Sequence, residues 1–104
     1  MTDEILFHHG TILVRRQQLA PGEALPWHRD PFHRVGVVLS GGQIEIEFRD
    51  GSETRPVPVK RGQVDWDEPT DRPHRAVNSG QEPYEEITIF FLDHPDAVPQ
   101  PQDH

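Results

Sequence analysis

Proline and glycine are spread along this whole chain, and they limit what it can fold into more than any other feature. The 104 residues include 11 prolines and 8 glycines. No stretch long enough for an amphipathic helix shows apolar positions at helical spacing without one of these residues inside it. The chain consists instead of short apolar or alternating segments between turn residues, and this pattern predicts an all-β protein.

The candidate strands share β-branched or aromatic residues and are bounded by turn residues. They lie at residues 4–9, 11–19, 34–40, 43–49, 55–60, 63–66, 74–78 and 84–92. The sequences SGG at 40–42 and RDG at 49–51 predict tight hairpins, because glycine tolerates the positive φ that such turns require. Many short strands at close spacing indicate a sandwich or a barrel.

The length and composition predict one domain with a single modest core. The chain is 33% hydrophobic and 27% charged, which is apolar enough for a folded domain. We predict that this domain covers residues 1–92 and that residues 93–104, DHPDAVPQPQDH, form a loose, Pro-rich tail.

The last predicted strand is apolar on both of its faces. Ile87, Ile89 and Phe91 share one face. Phe90 and Leu92 lie on the other. A strand of this kind is usually covered by a second sheet or a second subunit, and for so small a protein we predict a homodimer.

Charge and composition argue against several classes of function. The formal net charge is −8, and no stripe of Lys and Arg is present that could bind nucleic acid. The apolar runs are too short to cross a bilayer and the N-terminus does not resemble a signal peptide, so we expect no membrane partner and a cytoplasmic location. The chain has no cysteine, so any metal must bind to nitrogen and oxygen ligands.

The candidate chemistry is concentrated in the segment PWHRDPFHR. Residues i and i+2 of a strand point to the same face, so His28 and Asp30 can converge on one ion. Pro31 then interrupts the strand, because proline cannot donate a ladder hydrogen bond. Alternation therefore does not decide whether His33 or Arg34 points inward.

This segment also lies within a longer spacing pattern. The pattern runs Gly22, five residues, His28, one residue, Asp30, three residues, Arg34, six residues and Gly41. A second pattern follows, with the turn KRG at 60–62 and then the run His74-Arg-Ala-Val-Asn78.

Together, the two patterns resemble the two motifs of the cupin superfamily, whose members are small double-stranded β-helix, or jelly-roll, barrels. The resemblance implies that His28 and His74 match family metal ligands. Asp30 stands where the family has a second histidine, and Arg34 stands where it has a glutamate. His33 could supply a fourth ligand if Pro31 introduces a bulge.

The chemistry of these substitutions leaves metal binding open. Two histidines and a carboxylate suit one divalent ion such as Fe, Mn, Ni or Zn. A guanidinium cannot coordinate a cation, so an inward Arg34 would oppose metal binding and would instead anchor a carboxylate-bearing ligand. Trp66 is one of several aromatic residues that could line the same pocket.

Three hypotheses for the function follow. The first is a small cupin that binds a divalent metal and a small polar or carboxylate-bearing molecule at the barrel mouth, and acts as a metal-dependent oxygenase, isomerase or lyase. The second is a metal-free binding or accessory module with a degenerate site. The third is a dimerisation scaffold in which the site is vestigial. Glu45 and Glu47 are not part of any of these sites, because their strand alternation places them on the outer face.

Overall fold

The computed structural model describes residues 1–97 and, within them, contains nine β-strands and no helix. The prediction of an all-β fold is confirmed. The strands are β1 (Thr2–His9), β2 (Ile12–Leu19), β3 (His28–Asp30), β4 (His33–Ser40), β5 (Gln43–Phe48), β6 (Pro56–Pro58), β7 (Val64–Asp67), β8 (Thr70–Val77) and β9 (Tyr84–Phe91). Since these residues include no helix, they include none that could cross a membrane.

The strands form two antiparallel sheets that face each other. The order is β1-β2-β9-β4-β7 in the five-stranded sheet and β3-β8-β5-β6 in the four-stranded sheet. Residues from both sheets line one cavity of about 560 Å³. This is the jelly-roll arrangement expected from the sequence, and the cavity between the sheets has room for a site.

The strand boundaries differ from the sequence prediction mainly around the candidate site. β3 is a separate short strand, and β8 begins at Thr70 and not at residue 74. The two strands pair with each other, with His28 opposite His74 and Asp30 opposite Thr70. The register shifts between these two pairs, and this irregularity lets β8 continue through Pro73.

Both predicted hairpin turns depend on a glycine with positive φ. Gly41 has φ of 120° between β4 and β5, and Gly51 has φ of 82° after β5. Other residue types rarely adopt these conformations. A Cβ at residue 41 would also lie 2.8 Å from Cδ1 of Tyr84, so this glycine brings the turn close to β9.

The buried apolar residues form two clusters, one toward each end of the barrel strands. The first contains Leu19, Leu25, Val38, Val59 and Tyr84. The second contains Leu13, Phe32, Phe90 and Leu92, and Ala97 packs against it. The rest of the predicted tail, residues 98–104, lies outside the described residues.

The two faces of the five-stranded sheet differ in character. One row of paired residues crosses all five strands on the face directed away from the cavity, and we call it the outer apolar row. It consists of Phe7, Val14, Ile89, Val35 and Trp66. Of these, Phe7 and Trp66 are each 55% exposed. The apolar character of both faces of β9, predicted from the sequence, therefore corresponds to a core side and an exposed side.

Candidate metal centre

Three side chains from the four-stranded sheet meet at one oxygen atom inside the barrel. Nε2 of His74 lies 2.7 Å from Oδ2 of Asp30, and Nε2 of His28 lies 3.2 Å from the same oxygen. The candidate ligand atoms of the three residues all lie within 4.8 Å of one another. Asp30 and His74 are buried and His28 is half-buried, so the cluster is largely shielded from solvent.

The other ring nitrogen of each histidine is held by the backbone. Nδ1 of His28 is 2.8 Å from the carbonyl oxygen of Pro26, and Nδ1 of His74 is 2.7 Å from that of Arg72. A carbonyl oxygen only accepts hydrogen bonds, so each Nδ1 must carry the donated proton. In a neutral ring, Nε2 then has a lone pair, and both lone pairs point at the carboxylate of Asp30.

This arrangement of acceptors needs positive charge at its centre. Either the rings are protonated at Nε2 and donate to Asp30, or a cation lies between the three groups. Burial disfavours the charged form of His28, but the hydrogen bond and the charge of Asp30 outweigh it and raise the pKa of this histidine. Burial likewise opposes the ionised form of Asp30, but the two histidines and Arg34 hold its pKa far below the usual range.

Arg34 points into the barrel, so the question that the sequence left open is resolved by the register of β4. Arg34 pairs with Phe90 on β9 and with Asp67 on β7. Its Nη2 is 3.5 Å from Oδ2 of Asp30, and its Nη1 donates to the carbonyl oxygen of Glu68 at 3.4 Å. The guanidinium therefore lies beside the metal-ligand candidates and neutralises part of the charge of Asp30.

The structure does not bring His33 to this cluster. β4 begins at His33, and strict alternation from that residue turns His33 outward when Arg34 is inward. The His33 side chain is half exposed, with Nδ1 3.1 Å from Oε2 of Glu68 and its ring 5.3 Å from that of Trp66. The bulge that would direct it inward occurs in the pairing of β3 with β8, before His33.

The ring of Trp66 is also on the outer face. Trp66 borders the cavity, but it pairs with Val35 and not with an inward residue. Its ring contacts His33 and Phe91, with a centroid distance of 5.8 Å to Phe91. Arg34, the other residue predicted to bind substrate, is the one that faces the cavity.

A sequence model of the family described as "Cupin domain" matches residues 15–90. This chain belongs to the cupin family. The match contains β3, β4 and β8 and thus all three residues of the cluster at Asp30. Among curated proteins, no sequence matches the chain significantly.

Solved structures share the fold of this cupin. A cupin domain from Bordetella pertussis superposes with a TM-score of 0.73 at 19% identity, covering 86% of this chain and 90% of that one. A protein with a double-stranded β-helix domain from Klebsiella pneumoniae gives a TM-score of 0.71 at 20% identity, covering 99% and 84%. Oxalate oxidase in complex with glycolate gives 0.60 at 20% identity, covering 85% of this chain and 45% of the enzyme. At these identities the likeness shows the fold alone.

The cavity of this cupin is also lined by three polar residues that the sequence analysis did not identify. Glu86 and Thr88 of β9 line it together with Gln17 of β2. A usable signal was present, because Glu86 and Thr88 alternate with Ile87 and Ile89 in the sequence and so share a face.

Proposed function

We propose that this cupin binds one divalent metal ion through His28, Asp30 and His74, and a small polar, carboxylate-bearing molecule in the barrel cavity. The observation that carries the proposal is the set of two Nε2 atoms and one carboxylate oxygen that converge while both Nδ1 atoms donate to backbone carbonyls. Metal-binding histidines usually donate their other ring N–H in this way. The donor set suits Fe, Mn, Ni or Zn.

A metal held by three protein ligands keeps open positions and would supply Lewis-acid or dioxygen-activating chemistry. The residues of the chain would bind and orient the ligand. The guanidinium of Arg34 offers paired N–H donors to a carboxylate beside Asp30. Ile44, Ile46 and Phe48 of β5 line the same cavity with apolar surface and would exclude water from it. The reaction class that we propose is oxidation, isomerisation or lyase chemistry on a small acid.

The ligand class rests on Arg34, and one structural neighbour guides the choice of probes. Oxalate oxidase, which shares this fold, has been solved with glycolate, a small hydroxy acid. Small acids are therefore reasonable first probes for this cavity, although fold similarity at this identity does not select a substrate.

The alternative function is a metal-free binding or accessory cupin. It is favoured by one specific observation, the ion pair of Arg34 with Asp30 at 3.5 Å. In that case the guanidinium supplies the positive charge that the cluster needs, and Arg34 and the histidines bind an anion without metal.

Elemental analysis separates the two functions. The protein is purified without a histidine tag and analysed before and after reconstitution with Fe, Mn, Ni and Zn. We expect about one metal ion per chain, because the site holds a single three-residue donor set. No stoichiometric metal under any of these conditions would rule out the first function and leave the second.

Two variants and two controls locate the metal. His28→Ala and His74→Ala are each expected to abolish binding, because each removes one of only three donors. Glu45→Ala is a matched control, since its carboxylate accepts from Thr54 and is not among the residues that line the cavity. His33→Ala is a second control on the outer face. A metal content unchanged by His74→Ala would mean that the site lies elsewhere.

We also propose that the chain forms a homodimer through the outer apolar row. The chain carries a net charge of −8, which disfavours self-association over most of its surface. On this face, however, Arg16 beside the row is paired with Glu4. Nδ1 of His33 lies 3.1 Å from Oε2 of Glu68. Two copies can therefore bury aromatic residues here without bringing unpaired like charges together.

A further inference from the structure

A carboxyl group on the five-stranded sheet faces the cavity, and the metal proposal does not use it. Glu86 lies on β9, and Asp30 lies on β3 in the facing sheet. Both side chains line the same cavity. Among residues 1–97, no ion pair involves Glu86. The hydroxyl of Thr88 donates to it, with Oγ1 3.0 Å from Oε2. A half-buried carboxyl that is not part of an ion pair is costly to keep ionised.

The neighbouring strand leaves room for this carboxyl. Gly36 is in the interior of β4, which lies between β9 and β7. A Cβ at residue 36 would be 2.7 Å from Oε1 of Glu86, closer than Cβ contacts come in proteins. A glycine inside a strand often marks such a close approach. The glycine in the sequence VGVV of β4 therefore provides the space that the Glu86 carboxyl occupies.

The groups around Glu86 act on its charge in both directions. They are Tyr84 and Thr88 on its own strand, Arg34 on β4, Asp65 and Asp67 on β7, and Gln17 on β2. Burial is the largest effect and raises the pKa of Glu86, with Asp67 acting in the same direction. Hydrogen bonds from Thr88 and Tyr84 and the charge of Arg34 oppose this rise without cancelling it.

We propose that Glu86 is a ligand-binding residue of the barrel that acts in its protonated form, as a hydrogen-bond donor to an acceptor oxygen of a small anionic ligand. This inference rests on the proposed function, because it requires a ligand in the cavity. Thr88 donates to Oε2, and Oε1 lies beside Gly36. In the protonated form one of these two oxygens carries the proton that the ligand accepts. The ligand class is then an acid with a carboxylate for Arg34 and a second oxygen, as in hydroxy and oxo acids.

The protonation state matters because the ligand is an anion. A neutral carboxylic acid donates to an acceptor oxygen and adds no negative charge beside Asp30. An ionised Glu86 would accept and not donate, and it would repel the ligand. Ligand binding is therefore expected to be coupled to the proton on this residue.

Infrared spectroscopy of the full chain detects this proton directly. In difference spectra at neutral pH, the wild type is expected to show the carbonyl stretch of a protonated carboxyl that Glu86→Gln lacks. Glu85→Gln is the matched control, since Glu85 is the adjacent residue, faces away from the cavity and accepts from Nε2 of Gln18 at 3.2 Å. Its spectrum should retain the band. This measurement requires neither metal nor ligand.

The pH profile of binding tests the role in recognition. Manganese-loaded protein is titrated with glycolate, oxalate and pyruvate. In the wild type and in Glu85→Gln, affinity is expected to fall about tenfold for each pH unit above the pKa of Glu86. Glu86→Gln should bind at neutral pH without this fall, because the amide is a neutral donor at all pH values. Gly36→Ala should weaken binding, because it displaces the carboxyl without removing it.

Several results would overturn the inference. They are a missing carboxyl band at neutral pH, a Glu86→Gln profile identical to that of the wild type, and failure of all three probes to bind metal-loaded wild type. Metal content is measured on the same samples. Loss of metal in the wild type would count against the proposed function, whereas normal metal content with an unaffected Glu86→Gln variant would count against Glu86 alone.

Discussion

On β4 and β9, the side chains that point into the barrel are more polar than those that point out of it. Arg34, Glu86 and Thr88 face the cavity, while Val35 and Ile89 face outward. An antiparallel sheet with one solvated face usually has the opposite arrangement. The two proposals made above require this difference, a polar ligand at the inner face and another apolar surface at the outer face.

Three pairs of residues of the same or similar type make this contrast open to experiment. His33 and His74, Phe90 and Phe91, and Glu85 and Glu86 each pair an outward residue with an inward one. A substitution on one face should affect the ligand site or the core, and the same substitution on the other face should not.

The largest expected difference is in the free energy of unfolding of two variants, Phe90→Ala and Phe91→Ala. Phe90 is 3% exposed within the cluster of Leu13, Phe32 and Leu92, and Phe91 is 38% exposed. We expect Phe90→Ala to lower the free energy of unfolding by about 3–5 kcal/mol. Phe91→Ala should lower it by about 1 kcal/mol or less. Urea unfolding at low protein concentration measures both, and equal losses would contradict the assignment of faces.

A charge placed on the outer face should affect assembly and leave the site intact. Trp66→Glu is expected to weaken the proposed dimer by about 2 kcal/mol or more, because a buried aromatic anchor is replaced by a carboxylate. Sedimentation equilibrium measures this change. Gln81→Glu adds the same charge in an exposed bend before β9 and should leave the dimer unchanged. A monomeric wild type at high concentration would disprove the dimer.

On the inner face, Arg34→Met should strengthen metal binding. The substitution removes a positive charge 3.5 Å from Oδ2 of Asp30, which a metal must otherwise displace or tolerate. We expect an increase in affinity of about tenfold, or ~1.4 kcal/mol, by calorimetric titration with Mn²⁺. Arg72→Met should change the affinity less, because that guanidinium is paired with Asp50. An unchanged affinity in Arg34→Met would show that Arg34 does not compete with the metal.

The smallest effect concerns the pH dependence of stability in the metal-free protein. The pKa of His28 is raised in the folded state by Asp30, so the folded protein binds this proton more tightly than the unfolded chain. The resulting stabilisation is complete below the unfolded pKa of about 6.5 and is lost as the pH rises through the folded value. Urea midpoints across this range should show the decline, and His28→Gln should flatten it. A decline of the same size in the variant would assign it to another group.

Most of the fold could be predicted from the sequence because it depends on local patterns. Alternation defined β5, and the glycines at 41 and 51 defined its two turns. The extended conformation of His28 and Asp30 was expected, but the pairing of β3 with the first half of β8 was not, because it joins segments far apart in the sequence. Local propensity contains no information about such pairing.

For the site, too, the features that depend on local spacing were predictable and those that depend on strand pairing were not. The convergence of His28 and Asp30 follows from their spacing on one strand, and His74 was identified by its motif. The orientation of Arg34 depends on where β4 resumes after Pro31, which only the partners on β9 and β7 determine. Alternation places Glu86 and Thr88 on one face of β9, but Glu86 follows Glu85 at the start of a strand, where charged residues are usually solvated. Alternation alone therefore did not indicate that this face is the inner one.

Because both histidines converge on one oxygen of Asp30, metal binding at this site would change the pH of the solution. The positions at which the rings would hold protons on Nε2 are the positions at which they would hold a metal. Metal uptake would therefore be an exchange reaction that releases protons, and acid would elute the ion. Each metal ion bound would displace protons from the site, and a weakly buffered solution would become more acidic as the site fills.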